Sequence, residues 1–383
     1  KRTLFPEQQV CDVAIIGGGL AGLALSIQLA RSGHSVVLFE KERYPFHRVC
    51  GEYISLESRD FLQSLGVDLA ALQVSSITRL QVSTVKGRLL EQELPLGGFG
   101  ISRYRLDDAM AVLAREAGVQ LLEQTKISDV VFRDDAFVLT ASGQRYQARV
   151  ACGSYGKRGN LDIRWKRPFA SAARNKLNNY IGVKYHIRSG FPVDTIALHL
   201  FRGGYCGIVK VEGDRYCLCY LTSAANLQQA GGSIPVMEQT LLSQNPFLKK
   251  IFAESGYLFE QPVTISQISF DHKTQVEEHV LLTGDAAGMI TPLCGNGMSM
   301  ALHGSKLAAE QVHLFLHGRI SRTAMERQYA SRWQQQFGSR LKAGRLIQRL
   351  FGHSWLVTLL ITAARSFPQL IRFLVRQTHG RPF

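Results

Sequence analysis

Hydrophobic residues near the start of the chain follow the spacing of a strand, a helix and a second strand. Val13–Ile16 is a short continuous apolar run, which is typical of a buried strand. Apolar residues then recur at helical spacing from Leu20 to Ala30, and Gly33 is placed to end this helix. Ser35–Phe39 is a second apolar run. The pattern predicts a β-α-β unit with parallel strands.

The middle of the chain alternates apolar and polar positions with a period of two. The segments "NYIGVKYHI", "TIALHLF", "YCGIVKV" and "YCLCYLT" are rich in β-branched and aromatic residues, so residues 175–270 are predicted to form a sheet. A strand at Val280–Thr283 and a helix from Met298 to Leu316 follow. The segment Thr323–Phe383 is predicted to be helical, because apolar residues alternate with arginines.

The first β-α-β unit carries a glycine-rich loop of the G-x-G-x-x-G type. Gly17 permits the tight turn, Gly19 lets the backbone approach a pyrophosphate, and Gly22 lets the helix pack on the strand. The helix N-terminus offers free N–H groups to the anion. Glu40 closes the second strand, where a carboxylate would accept hydrogen bonds from ribose hydroxyls and disfavour a 2′-phosphate. The predicted dinucleotide-binding residues are Gly17, Gly19, Leu20, Ala21, Gly22, Glu40 and Lys41.

A second glycine-rich stretch, "TGDAAGMITPLCGNGMSM", lies nearly 270 residues later. Two glycines strip side chains from another helix N-terminus, whose N–H groups would stabilise the anionic edge of a reduced flavin. Asp285 would accept a hydrogen bond from a ribityl hydroxyl. The predicted flavin-binding residues of this stretch are Gly284, Asp285, Pro292, Gly295, Asn296, Gly297 and Met298.

The two glycine-rich stretches together resemble the flavoproteins built like p-hydroxybenzoate hydroxylase. Aromatic hydroxylases, flavin halogenases and geranylgeranyl reductases belong to this class, and the last two are the most similar to this chain. The resemblance implies FAD, with its ADP half at the early loop and its flavin half at the late one. It also implies an α/β fold, in which a Rossmann-type FAD-binding lobe that is discontinuous in sequence carries an inserted, mainly antiparallel β-sheet substrate lobe and C-terminal helices.

The resemblance also implies boundaries for these regions. The FAD-binding domain is expected at residues 1–75, 100–172 and 270–320, and the substrate-binding sheet at 76–99 and 173–269. Residues 321–383 are expected to form a basic helical segment.

The stretch "RVCGEY" resembles the loop that lies beside the flavin in the reductases and halogenases. Arg48 could therefore meet the cofactor phosphates, and Cys50 and Glu52 could face the isoalloxazine. Cys50 is equally suited to filling the core, and Glu52 to capping a helix. Arg103 lies where the class often places a cation near the cofactor. Tyr155 replaces an aspartate of the hydroxylases, which puts the use of NAD(P)H as a transient electron donor in doubt.

The sheet region supplies the candidates for a substrate pocket. Tyr205 and Cys206 resemble the segment that lies over the ring in this class. His186 and His199 are interpreted as polar-face residues of strands rather than as bases. No histidine or cysteine cluster is recognised with metal-site spacing, so no metal is predicted. The isolated tryptophans, and the lack of a lysine after the Cys-Gly-Glu loop, weaken the halogenase interpretation.

Net charge and cysteine content limit the cellular compartments and the binding partners to be expected. The net charge is +15, and no acidic residue follows Glu326, whereas ten cations lie between Arg327 and Arg381. The tail could be a solvated surface or pack on the core, or it could dock on an acidic carrier protein or an anionic membrane. No nucleic-acid module is recognised. Seven cysteines without a CxxC pair favour a reducing compartment. With no leader or membrane span recognised, a cytoplasmic location is expected, with inner-membrane contact as an alternative.

The sequence therefore predicts an FAD-dependent oxidoreductase with a small apolar substrate. A monooxygenase or hydroxylase of an aromatic or polyketide-like metabolite is favoured, since aromatic and sulfur-bearing residues line the predicted sheet. A reductase or dehydrogenase of prenyl or carrier-bound acyl double bonds is the alternative, and a non-enzymatic flavin-binding protein is a more remote one. No residue is identified as catalytic at this level.

Overall fold

The structure is a computed structural model that describes residues 9–171, 179–291, 295–351 and 380–383. In the described residues the strands are β1 (Gln9–Ile16), β2 (Val36–Phe39), β3 (Tyr53–Ser55), β4 (Ser75–Ser83), β5 (Leu89–Gly100), β6 (Gln120–Leu122), β7 (Ile127–Arg133), β8 (Ala136–Ala141), β9 (Gln144–Gly153), β10 (Tyr180–Arg188), β11 (Thr195–Phe201), β12 (Gly204–Lys210), β13 (Tyr216–Ser223), β14 (Gly256–Tyr257), β15 (Val263–Ile268), β16 (Val276–Glu277) and β17 (Val280–Leu282). The helices are α1 (Leu20–Arg31), α2 (Arg59–Ser64), α3 (Arg103–Glu116), α4 (Asn160–Arg164), α5 (Pro168–Ser171), α6 (Ala224–Gln229), α7 (Ile234–Thr240), α8 (Pro246–Glu254), α9 (Gly297–Leu316) and α10 (Arg322–Phe351).

The first sheet forms the nucleotide-binding lobe. Its strand order is β16-β17-β9-β1-β2-β6, and the β7–β8 hairpin extends it beside β9. Strands β17, β9, β1, β2 and β6 run parallel, with Val13 aligned with Val36 on one side and Val150 on the other. Residues Val13 to Ile15 have no solvent exposure, as expected for a parallel strand covered on both faces.

The second sheet has the order β14-β10-β13-β12-β11-β4-β5-β3, and β15 also pairs with β10. Its pairings are antiparallel except for β11 with β4. The strand Tyr53–Ser55 comes from the region after the Cys-Gly-Glu loop and pairs with β5 at the edge of this sheet. The predicted α/β fold with an inserted, mainly antiparallel sheet is confirmed.

Helix α10 packs on the nucleotide-binding lobe through residues spaced four apart. Tyr329, Trp333 and Phe337 are at most 2% exposed. Trp333 covers α9 and the second glycine-rich stretch, because a Cβ added to Gly288 would lie 2.5 Å from its ring. This part of the basic segment is therefore a core-packing helix. The predicted helices of residues 352–379 lie outside the described residues, and no helix within the described ones has the length and apolar character to cross a membrane.

Candidate functional site

The first glycine-rich loop has the backbone geometry that its sequence predicts. Gly17 has a φ of 103°, and a Cβ there would lie 2.6 Å from the Ser154 carbonyl oxygen, so only glycine fits. A Cβ on Gly22 would lie 2.0 Å from the Gly17 oxygen, which explains the close packing of α1 on this turn. Gly19 is different: its Cβ would meet only the Arg103 guanidinium, at 3.6 Å, and would otherwise enter a cavity. Gly19 caps α1 without any side-chain hydrogen bond, which leaves the first N–H groups of the helix to a ligand.

A chain of ion pairs lies beside this loop. The Glu40 carboxylate accepts a hydrogen bond from Gly18 N at 2.9 Å and pairs with Arg48 Nη2 at 2.9 Å. Arg48 Nε also bonds Asp107 at 3.1 Å, and Arg103 donates twice to Asp107, both at 2.7 Å. Burial alone would lower the pKa of Arg103, but the Asp107 carboxylate outweighs it and the pKa is raised. These ion pairs fix both guanidinium groups at this end of the cavity, where a pyrophosphate would need cations.

The second glycine-rich stretch meets the first across the cavity. Gly284 has a φ of 59°, and a Cβ there would lie 3.2 Å from the Ala21 Cβ, so the two loops are in close contact. Helix α9 begins at Gly297, and its cap residue Asn296 makes no side-chain capping bond. The first N–H groups of α9 are therefore left to a ligand, like those of α1. Pro292 lies outside the described residues.

One cavity of about 1100 Å³ connects these features. This exceeds the ~300–1,000 Å³ of most small-molecule sites, so a dinucleotide and a substrate can share it. The predicted site residues that line it are Gly17, Gly19, Leu20, Ala21, Glu40, Lys41, Arg48, Cys50, Glu52, Arg103, Tyr205, Gly284, Asp285, Gly295, Asn296, Gly297 and Met298. Gly22 and Cys206 do not line it. These features fit FAD. Two helix N-termini have no side-chain cap, the glycine at position 19 leaves space that a side chain would occupy, and ion pairs fix Arg48 and Arg103 beside that space.

Cys206 faces away from the cavity, contrary to its prediction as a pocket residue. On β12 the side chains alternate, so Tyr205 and Gly207 face the cavity, while Cys206 belongs to the buried cluster of Val183, Tyr185 and Leu218 on the opposite face of the sheet. Burial raises the pKa of the Cys206 thiol well above its usual value. Cys206 is therefore a core residue and not a site residue.

The Cys-Gly-Glu loop places a thiol on the cavity wall. Cys50 is partly buried, lines the cavity and interacts with the Arg103 guanidinium. Its carbonyl oxygen accepts a hydrogen bond from the Cys217 thiol at 3.2 Å, and Lys157 Nζ donates to Val49 O at 3.2 Å. The loop is thereby attached both to the second sheet and to the segment after β9.

Glu52 connects the two lobes through a fully buried carboxylate. One carboxylate oxygen accepts from Arg103 N, the first N–H of α3, at 2.8 Å and pairs with Lys184 on β10. The other bonds His186 Nε2 at 2.6 Å. Burial would raise the pKa of Glu52, but Lys184 and His186 together lower it to about 2. The helix-capping interpretation of Glu52 is thus realised, in a cluster with Lys184 and His186 that we call the Glu52 cluster.

Tyr155 occupies the position where the hydroxylases carry an aspartate. It lines the cavity, and its hydroxyl donates to Asp162 at 2.8 Å. Asp162 in turn forms a buried ion pair with Arg167, whose guanidinium also donates to Ala286 O at 3.1 Å. Gly159 is glycine because a Cβ would lie 2.8 Å from the Tyr155 ring. Tyr155 is therefore held in the cavity wall by its hydrogen bond to Asp162.

Several residues of this region escaped prediction from the sequence. Asp107 lies four residues after Arg103 in the stretch "RYRLD", and this spacing of one helical turn could have pointed to it. Lys184 lies between Val183 and Tyr185 on β10, and only its complete burial shows its role. His199, interpreted as a polar-face strand residue, bonds Ser83 Oγ at 2.8 Å, and burial lowers its pKa to about 4. Away from the cavity, His34 lies with His313 and His317, from which it is distant in sequence. The spacing of four residues between His313 and His317 is the signal that could have revealed them.

Comparison with known proteins agrees with the geometry. Residues 10–164 match the family described as FAD binding domain. The chain is 25% identical over 366 residues to conditioned medium factor receptor 1 of Dictyostelium discoideum, covering 87% of this chain and 69% of that protein. It is 24% identical over 357 residues to digeranylgeranylglycerophospholipid reductase 2 of Methanothermobacter thermautotrophicus, covering 86% and 85%. The solved structure of the flavin-dependent brominase Bmp2 superimposes with a TM-score of 0.76 at 19% identity, over 97% and 93% of the two chains.

Proposed function

Because the chain is an FAD-dependent oxidoreductase, we propose that it reduces carbon–carbon double bonds in an elongated apolar substrate, of the prenyl or carrier-bound acyl class. The sequence alone favours oxygenation over reduction. The observation that supports the reverse order is the composition of the substrate end, by which we mean the cavity wall formed by the second sheet.

The substrate end is apolar over six strands. Leucine, isoleucine and valine side chains at alternate positions of β4, β5, β11, β12, β13 and β15 face the cavity; they are Leu80, Val82, Leu90, Leu94, Ile196, Leu198, Val209, Leu221 and Ile265. The polar residues that these strands and β3 add to the wall are uncharged; they are Tyr53, Tyr205, Cys219, Tyr220, Thr264, Ser266 and Gln267. Among the described residues of this wall there is no carboxylate, lysine or histidine. Hydroxylation of a phenol is helped by a base that takes the phenol proton. A hydrocarbon chain needs none, and it gains ~25 cal/mol per Å² of apolar surface buried.

Cys50 is the residue we assign to proton transfer. When bound and already reduced by an electron donor, the cofactor would supply the hydride for one carbon of the double bond and return to FAD. The other carbon needs a proton, and the Cys50 Sγ lies on the cavity wall in the loop that resembles the flavin-side loop of reductases. The Arg103 guanidinium interacts with Cys50 at this wall. Solvent then returns the proton to the sulfur.

Oxygen transfer is the second candidate, since a dry apolar wall also suits it. Exclusion of water protects a reactive oxygen donor from unproductive decay. A hydroxylase of this kind would act on an apolar metabolite without an ionised group. The electron donor, NAD(P)H included, stays a prediction in either case.

Isotopes separate the two reactions. The FAD-loaded protein is reduced with dithionite without air and mixed with a polyprenyl lipid in D₂O, and the product is analysed by mass spectrometry. We expect products whose saturated bonds each carry up to two deuterium atoms, one from the proton donor and one from the exchangeable N5–H of the reduced flavin. In a parallel reaction the reduced protein meets ¹⁸O₂ and the same lipid. Incorporation of ¹⁸O with no saturation would contradict the reductase proposal and support the oxygenase.

The assignment of Cys50 has its own test. Cys50→Ala should lower the rate of reduction about 10²–10⁴-fold, the usual size of general acid catalysis, and Cys50→Ser should recover little of it. The matched control is Cys11→Ala, which removes a buried thiol from β1 outside the cavity. Equal rates for Cys50→Ala and the unaltered protein would refute the role of Cys50 and leave the reaction class intact.

A further inference from the structure

We propose that His34, His313 and His317 form a binding site for a divalent transition-metal cation of the zinc type. One ring nitrogen from each histidine lies within 4.8 Å of the other two. His34 Nε2 and His313 Nδ1 are 3.1 Å apart. The rings of His313 and His317 are 4.4 Å apart between centroids, and those of His34 and His317 are 5.4 Å apart. These residues, which we call the three-histidine cluster, are separate from the FAD cavity.

The local structure brings the three imidazoles together from two elements. His313 lies in the last turn of α9 and His317 directly follows that helix, and a spacing of four residues places both rings on one face. His34 follows α1, where Gly33 has a φ of 86° and the chain reverses. The His34 N–H donates to Leu29 O at 3.2 Å, and the next residue, Ser35, is held by Asp12 through bonds of 2.8 and 2.9 Å. These bonds fix the backbone of His34 without a bound ion.

The spacing of the nitrogens suits tetrahedral coordination. Zinc binds histidine nitrogen at ~2.0–2.1 Å, which places two tetrahedral ligands about 3.3 Å apart. The His34–His313 distance of 3.1 Å is close to this value. His317 is exposed and its side chain can turn to complete the set, with water at the fourth position. Imidazole ligands suit zinc, copper and nickel, and the cluster has no carboxylate that would favour magnesium or calcium.

Protonation also favours metal binding near neutral pH. Burial and the neighbouring histidines lower the pKa of His34, and burial and His317 lower that of His313. Among the charged groups that face the cluster, Asp12 favours protonation of His34, whereas Arg149 opposes it and Arg319 opposes that of His313. Binding should weaken as the pH falls, because protons compete for the same nitrogens.

The ion would connect the far ends of the two helices that begin at the cavity. Helix α1 starts at the first glycine-rich loop and α9 at the second, and the two pack along each other, with Gln28 Nε2 3.5 Å from Ser305 Oγ. A bound cation would hold α9 to the loop after α1. We therefore expect it to stabilise the nucleotide-binding lobe without touching the flavin.

Tag-free, FAD-loaded protein stripped with a chelator tests this site. Zn²⁺ titrated in a calorimeter should bind with a stoichiometry near one and raise the midpoint of thermal unfolding. Cu²⁺ at the same site should show nitrogen hyperfine structure in its EPR spectrum. Removing a direct ligand by His313→Ala or His34→Ala should weaken Zn²⁺ binding about tenfold or more, and the triple alanine variant should abolish it.

The matched control is His272→Ala, which removes an exposed histidine outside the cluster. It should bind Zn²⁺ like the unaltered protein. Full flavin content and an unchanged circular dichroism spectrum show that each variant is folded. If the unaltered protein does not bind Zn²⁺, or if the triple variant binds it equally well, the proposal is wrong.

Discussion

The two ends of the cavity are built in opposite ways. The nucleotide end has backbone N–H groups and charged side chains that bond one another, as in the series Glu40, Arg48, Asp107 and Arg103. The substrate end has apolar side chains at alternate strand positions. Directional bonds fix the place of a constant group, FAD. Non-directional burial accepts any chain of suitable length and shape. The nucleotide end therefore holds the cofactor in one position, whereas the substrate end determines which substrates are accepted.

The Glu52 cluster lies between the two ends, and breaking it should have the largest effect. Lys184→Met leaves the Glu52 carboxylate buried without its cation. Removing one partner of a buried ion pair usually costs about 3–5 kcal/mol of the free energy of unfolding, which urea denaturation would measure. The double variant Lys184→Met/Glu52→Gln removes both charges, and it should recover a large part of the loss. A Lys184→Met protein as stable as the original would show that the pair does not join the lobes.

The same pair gives a pH dependence of defined sign. The pKa of Glu52 is about 2 in the folded protein against an ordinary value of 4.5. A lowered pKa contributes stability that is fully present above pH 4.5 and is lost as the pH falls towards 2. Lys184→Met removes the main cause of this lowering. The difference in stability between the two proteins should therefore shrink between pH 4.5 and 2, and a constant difference would contradict the assignment.

The nucleotide end could be predicted from the sequence because its signals are local. Gly17, Gly19 and Gly22 meet steric requirements within a single turn, and Glu40 follows at the end of the next strand. Glu52 could not be assigned in this way. Its partners Lys184 and His186 are more than 130 residues away, and only the pairing of two lobes shows that the carboxylate caps α3 and binds them together. Cys206 was misplaced for a related reason, since neighbouring strand residues face opposite sides and the register decides which one meets the cavity.

The third test concerns the nucleotide end alone. Gly19→Ala would place a methyl group in the cavity, where only the Arg103 guanidinium is near. An extra methyl group in a close contact usually costs about 1–3 kcal/mol. The free energy of FAD binding should become less favourable by this amount, so FAD should bind roughly 5–150-fold more weakly in a fluorescence titration. The stability of the apoprotein should change little. Gly190→Ala is the control, because this exposed glycine has no atom within 4 Å of an added Cβ. Unaltered FAD affinity in Gly19→Ala would mean that the pyrophosphate does not approach this turn.

The smallest effect is expected at the substrate end, and it should leave the cofactor untouched. Gly207 lines the cavity between Tyr205 and Val209, and an added Cβ would meet its nearest neighbours at ordinary contact distances of 3.6–3.7 Å. Gly207→Ala therefore shortens the apolar space without straining the sheet. Because the added methyl group meets only ordinary contacts, we expect the low end of the ~1–3 kcal/mol that one methyl group in an apolar pocket is worth. The kcat/KM for the longest prenyl or acyl chain accepted should therefore fall about tenfold, whereas a chain shorter by one unit should lose little. Weaker FAD binding in this variant, or an equal decrease in kcat/KM for every chain length, would show that the cofactor and the substrate are not bound by separate ends of the cavity.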